Sequence, residues 1–173
     1  MSSGVDASQA AAWTRRRLAA EKYRPTPIQL LLVAEAPPEK LDRYFFFEDV
    51  RTQDSLFRYV CRSVLCKEPT REDKAELLTE LRAAGVFLID LLEDPREDES
   101  LMRDRVPDLV RRCRQLRPTK IILIKVSVYD AAFEALRGAG LPVVNVRVPF
   151  PGAGQQRRFM EQMTKALEAT VAA

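Results

Sequence analysis

Residues 28–38 read Ile-Gln-Leu-Leu-Leu-Val-Ala-Glu-Ala-Pro-Pro. A short run of aliphatic side chains ends in a carboxylate and a stiff pair of prolines, with Pro25 and Pro27 just ahead of it. No period-2 alternation separates a wet face from a dry one, so the run fits a strand buried on both faces, as in a parallel sheet. Three later runs repeat the pattern: Val86-Phe87-Leu88-Ile89, Ile121-Ile122-Leu123-Ile124 and Val143-Val144-Asn145-Val146.

Helical stretches separate these runs. Ser8 is placed to cap an Ala-rich helix that runs to about Tyr23, where Pro25 and Pro27 stop it. Leu56, Tyr59, Val60 and Val64 share a helical face, and Thr70 with Asp73 resembles a capping box for a helix closed by Gly85. Leu101 to Leu116 reads as a basic helix with Pro107 at a start or kink. Ser127 is placed to cap a helix from Tyr129 to Arg137, and Gln156 to Val171 carries Phe159, Met163 and Leu167 at helical spacing. Strands alternating with helices predict an α/β protein, a four-stranded, mainly parallel sheet inside three α/β/α layers. One domain is expected over 1–173, with residues 1–7 as a frayed tail.

Composition narrows the chemistry. The chain has no histidine among its 173 residues, which excludes a Ser-His-Asp triad, a Cys-His pair and any imidazole metal site. Carboxylate, lysine, cysteine or backbone chemistry remains, and neither a cofactor nor a metal is expected. With 28 Lys+Arg against 25 Asp+Glu the net charge is only +3, so the distribution of charge says more than its sum. Arg15 to Arg17 form one basic block, and Arg103, Arg105, Arg111, Arg112, Arg114, Arg117 and Lys120 form another. Asp90, Glu93, Asp94, Glu97, Asp98 and Glu99 make an acidic loop. A solvated face and a phosphate-binding surface are both open readings of the basic blocks. Cys61, Cys66 and Cys113 are odd in number and read as reduced thiols. No run nears the roughly 18 apolar residues of a membrane span. A cytoplasmic monomer is expected.

In a parallel sheet the ligand site lies beyond the carboxyl ends of the strands. Four loops stand there: Glu35 to Pro38, Asp90 to Asp94, Lys125 to Ser127, and Arg147 to Gln155. Glu35 is placed to activate a water or stabilise a cationic, sugar-like transition state, with a helix cap or ion pair as the plainer role. Lys125 is placed to neutralise Glu35 or Asp90, or to contact phosphate. Gly152-Ala153-Gly154-Gln155 leads into a helix, and serves either as an anion cradle or as a tight turn.

The same loops carry a resemblance. Leu31-Leu32-Val33-Ala34-Glu35-Ala36-Pro37-Pro38-Glu39 is similar to the first motif of the uracil-DNA glycosylase superfamily, nearest the branch reading Gly-Glu-Ala-Pro-Gly. Val86 to Asp90 resembles the strand that ends in the family's base-reading Asn, and Val148-Pro149-Phe150-Pro151-Gly152 its His-Pro-Ser-Pro motif. Val148 stands where the family has His, Asp90 where it has Asn, and Ala34 and Pro38 where it has Gly; the four cluster cysteines of that branch are absent.

The resemblance implies a DNA glycosylase that hydrolyses the N-glycosidic bond of a flipped-out base, on single- or double-stranded DNA, without a metal. Glu35 becomes the catalytic carboxylate. Asp90 and Lys125 are expected at the base, with Phe46 and Phe47 as stacking rings, unless the Phe45–Phe47 cluster is core. Pro37, Pro149, Gly152, Gly154, Gln155, Arg157 and Arg158 are expected on the phosphates. An ionised Asp only accepts hydrogen bonds, and so matches the N4 amino group of cytosine better than uracil. A cytosine-derived or modified base is therefore the expected substrate, the resemblance extending to hypermodified phage cytosine in antiviral defence. Repair of uracil or damaged bases, an inactive DNA-binding module, and an unrelated small-molecule enzyme with a phosphate loop are the alternatives.

Overall fold

The computed structural model describes residues 3–51 and 54–171. Three strands, β1 (Leu30–Ala34), β2 (Val86–Asp90) and β3 (Lys120–Leu123), form a parallel sheet in the order β2-β1-β3. Register pairs Leu30 with Val86 and Lys120, and Val33 with Ile89 and Leu123. Central β1 is buried throughout, the consequence of an aliphatic run with no polar face to expose.

Among the described residues six α-helices surround the sheet: α1 (Ser3–Lys22), α2 (Ser55–Val60), α3 (Lys74–Ala83), α4 (Met102–Leu116), α5 (Val126–Gly138) and α6 (Gln156–Glu168). Right-handed crossovers put α2 and α3 on one face and α4 and α5 on the other. The packing agrees, since α4 lies on α5 and α6 on α2. This arrangement is compatible with three α/β/α layers.

The expected fourth strand is present only as two isolated parallel bridges, Ile121 with Val143 and Ile124 with Val148. Five steps of chain face three on β3, and the surplus cannot stay in a ladder. Asn145 and Arg147 turn outward instead, where the Tyr129 hydroxyl donates to Asn145 and Arg147 donates to Asp130 at 2.6 Å. Val33, Ile122 and Val144 are buried as expected, whereas Ile89 is only partly so, because it faces a hollow described below.

Other local expectations are corrected. α1 begins at Ser3 rather than Ser8, so residues 3–7 are helical and not a frayed tail, and residues 1 and 2 lie outside the described residues. Ser127 does not cap α5; Lys125 holds that position. Pro107 sits inside α4, whose rod continues through it. Gly85, at φ +77°, turns α3 into β2, and its carbonyl accepts from Gln29 and Leu30 at 2.8 and 3.0 Å.

Much of the second basic block is structural. Arg105 pairs with Glu97 at 2.8 Å, and Arg112 reaches Asp108 at 2.9 Å and Glu93 at 3.5 Å. Lys120 donates to the carbonyls of Leu167 (2.7 Å) and Ala166 (3.3 Å), a cation on the last turn of α6. No helix among the described residues is long and apolar enough to cross a membrane.

Candidate functional site

The chain leaves β1 for β2 on one side and later enters β3 on the other, so the crevice of this sheet opens above β1 and β3. Glu35 directly follows β1, and Lys125 closes the loop after β3. Their side chains form an ion pair across that crevice. Lys125 adopts φ +84° and ψ 132°, a backbone region a residue with a Cβ enters at a cost of about 1–3 kcal/mol. The structure over-determines it: its N–H donates to Val148 at 2.8 Å, and its carbonyl accepts from Val128 and Tyr129 at 3.1 and 3.2 Å.

The pair lines a cleft of about 560 Å³, together with Pro37, Tyr44, Phe45, Asp54, Asp90 and Phe150. Four of the expected site residues, Glu35, Pro37, Asp90 and Lys125, are thus brought together from three strand ends. Asp90 is only partly exposed, and among the described residues no hydrogen bond reaches its carboxyl. Burial pushes that carboxyl up to about 7, against the pull of the Arg112 guanidinium. Near neutral pH Asp90 therefore exists in both forms, and its protonated form donates as well as accepts, as an Asn does. The expectation of an acceptor-only Asp90 was made for the ionised form, and the raised carboxyl puts the protonated form beside it.

One wall of the cleft is pinned from beneath. Lys74, 1% exposed, donates to the Tyr44 carbonyl at 3.0 Å and lies 4.8 Å from the Phe57 ring centroid. Burial lowers its ammonium to about 8. Asp54 caps α2 through the Leu56 N–H, and burial raises its carboxyl. The Lys74 contact was not legible from spacing, because it depends on the loop 41–50 folding back over α2, whereas the Asp54 cap is a local bond two residues along the chain.

The aromatic assignment is corrected. Phe46 is buried against Phe45 and Phe87, with centroids at 5.0 and 5.4 Å, and does not line the cleft. Phe47 packs on Tyr44 at 5.0 Å, with the Arg15 guanidinium over its ring at 5.2 Å. Tyr44, Phe45 and the 40% exposed Phe150 are the rings at the cleft. The signal for Phe150 was its place between Pro149 and Pro151, which holds an apolar ring at a rigid loop. Gly152 makes room for it: a Cβ there would stand 3.1 Å from Phe150 Cδ1.

Of the expected phosphate residues Pro37 lines the cleft, and the others lie apart from it. Pro149 is buried and borders a hollow of about 310 Å³ with Val126, Arg147, Gln155 and Arg158. Gly154, Gln155, Arg157 and Arg158 line an open groove along the first turns of α6. The Gly152 amide donates to Phe150 at 2.9 Å and that of Gln155 to Gly152 at 2.7 Å, so these two amides are spent within the loop and are not free for an anion. Arg157 is 92% exposed at its side chain and pairs with Glu161 at 3.1 Å.

Behind the cleft lies a second hollow of about 230 Å³. Pro37, Tyr44, Leu88 and Asp90 border both. Its far side is α1, which presents Trp13, Arg16, Arg17 and Ala20 at helical spacing. Among the described residues no three of His, Cys, Asp or Glu gather as a metal would require. No protein family, characterised protein or solved structure matches the chain.

Proposed function

We propose that this chain is a DNA glycosylase acting by water on a flipped-out pyrimidine, on a sheet of the uracil-DNA glycosylase kind with segment 143–148 in the place of the fourth strand. The observation that carries the reading is the meeting of Glu35, Asp90, Lys125 and Phe150 in one cleft of about 560 Å³. That volume falls within the roughly 300–1,000 Å³ of small-molecule pockets, enough for an extruded nucleotide. As the glycosidic bond breaks, its electron pair leaves with the base and positive charge grows on the sugar. Glu35 offsets that charge or orients the water whose oxygen bonds to the sugar carbon, the water's proton ending on the base or solvent. Lys125 holds the Glu35 carboxylate at the crevice. Asp90 meets the base edge, and Phe150 or Phe45 supplies the stacking face.

Asp90 in its ionised form selects an amino-bearing base, so a cytosine-derived or modified base is the substrate we favour over plain uracil. The protonated form also suits uracil, which keeps repair of uracil or damaged bases as an alternative. A partner of single- or double-stranded DNA, a monomeric state and a cytoplasmic location belong to the same reading. A catalytically silent DNA-binding module is the second reading, and Val148 favours it: this residue is fully buried at the position of the motif His, and the sequence has no histidine to supply an imidazole from elsewhere. The small-molecule alternative, built on a phosphate loop, loses force with the two amides already spent.

The test is a single-turnover screen of oligonucleotides carrying uracil, damaged pyrimidines or bulky modified cytosines, read as alkali-labile abasic sites. Excision of one class supports the enzyme. Tight binding with no abasic site on any substrate makes the module the better reading, and absence of both binding and excision removes DNA from the proposal.

A further inference from the structure

We infer that the hollow beneath α1 is an anion subsite in which the Arg16 guanidinium takes a phosphate group presented beside the Trp13 indole. Arg16 is only 7% exposed, and among the described residues it makes no hydrogen bond or ion pair; its Nε is fully buried without a partner. A guanidinium stays charged at any physiological pH and offers five donors in a planar fork. Asp90 and Asp94 feel its charge but neither accepts a hydrogen bond from it, so its donors call for an acceptor that the protein itself does not place within reach.

The neighbours narrow what that acceptor is. Arg112 also borders the hollow, but it donates to the Asp90 carbonyl at 2.8 Å, the Leu91 carbonyl at 3.1 Å and Asp108 at 2.9 Å. The Glu93 carboxylate faces Arg112 at 3.5 Å, Glu21 pairs with Arg24 at 3.3 Å, and Asp90 is the third acid on the hollow. Arg17 adds a third guanidinium, 5.3 Å from the Trp13 ring centroid. Glu21, Glu93 and Arg112 are taken up by ion pairs, which leaves a buried guanidinium with an unpartnered Nε beside an indole half open to solvent, a combination that suits a phosphate attached to a flat or sugar-like group. About 230 Å³ is smaller than a whole-ligand pocket, and fits a subsite next to the main cleft. This inference does not depend on glycosylase activity. The phosphate has two possible sources, the backbone of a bound strand or a free nucleotide.

Trp13 is the chain's single tryptophan, so its fluorescence reports this hollow alone. The full chain is titrated at constant ionic strength with inorganic phosphate, with cytidine monophosphate and with a short single-stranded oligonucleotide. A saturable change is expected with at least one probe, together with a rise in Tm. Response to phosphate or the mononucleotide identifies a free ligand; response to the oligonucleotide alone identifies a strand phosphate. Arg16→Gln should weaken the responding probe at least tenfold, with Arg16→Lys in between. A flat indole signal and unchanged Tm with all three probes overturn the inference. So does a folded Arg16→Gln that binds like the wild type, which would leave Arg16 as a mere counter-charge to Asp90. Excision by the wild type is scored separately, so this subsite and the glycosylase reading can fail independently.

Discussion

The Lys125 ammonium meets the Glu35 carboxylate across the carboxyl ends of β1 and β3, although 90 residues of chain separate them. This ion pair spans the point where the sheet reverses its strand order, and one of its members has strained backbone. Backbone strain of this kind clusters at active sites and ligand clamps, and at Lys125 it is held by three hydrogen bonds.

Glu35→Gln is expected to bind DNA like the wild type and to excise its base about 10² to 10³ times more slowly, as when one transition-state-stabilising group is lost. Single-turnover excision beside a binding titration checks this. Full activity in Glu35→Gln would withdraw the carboxylate from catalysis.

Lys125 separates strain from charge. Lys125→Ala and Lys125→Gly both delete the ammonium, but only glycine relaxes at φ +84°. The glycine variant should be the more stable of the two by about 1 kcal/mol or more, read by urea unfolding. Equal stabilities would show that the conformation costs nothing.

Asp90 ties stability to pH. Its folded carboxyl titrates near 7 against 3.8 unfolded, so the folded state keeps a proton the unfolded chain has lost, and this contribution fades as pH rises from about 4 through 7. Asp90→Asn should raise Tm relative to wild type at pH 8 and do so less at pH 5. The same titration predicts that the preference for an amino-bearing base over uracil strengthens from pH 6 to pH 8 and vanishes in Asp90→Asn. A Tm difference that is flat with pH would contradict the burial of this carboxyl.

Lys74 works in the opposite direction. Its folded ammonium titrates near 8 against 10.5 unfolded, so its burial costs stability below about pH 8, and that cost disappears as pH rises to 10.5. Lys74→Met should therefore compare best with wild type at pH 7 and lose ground toward pH 10.5, by up to about 3 kcal/mol. Loss of the anchor on the Tyr44 carbonyl should also loosen the cleft wall, read as faster amide exchange over residues 41–50.

Arg157 and Arg158 stand on the open groove of α6 rather than in the cleft. Reversing both to Glu should weaken DNA binding alike for all sequences and flatten its salt dependence, since fewer counterions are released. Unchanged affinity and slope would mark that groove as a solvated face.

The parts of the fold that were legible are those set by local chemistry. An aliphatic run such as Leu30 to Ala34 has one way to hide both of its faces, and the residue after it must then stand at a strand end. Glu35, Asp90 and Lys125 were found for that reason. The fourth strand was not, because its surplus residues matter only against the length of β3. Phe46 and Phe47 could not be told from Phe45 without knowing that Phe87 fills one side of the cluster. Arg16 belongs to a helix far from every motif, and only tertiary packing brings it beside Asp90.

Pro37, Tyr44, Leu88 and Asp90 are a common partition between two chambers. Whatever shifts that partition, or the proton on Asp90, from one chamber changes the binding free energy in the other, and thermodynamic linkage makes the effect equal in both directions. A phosphate drawn to Arg16 and a base held in the cleft would then be reciprocal effectors, each setting the affinity of the other through the single carboxyl of Asp90.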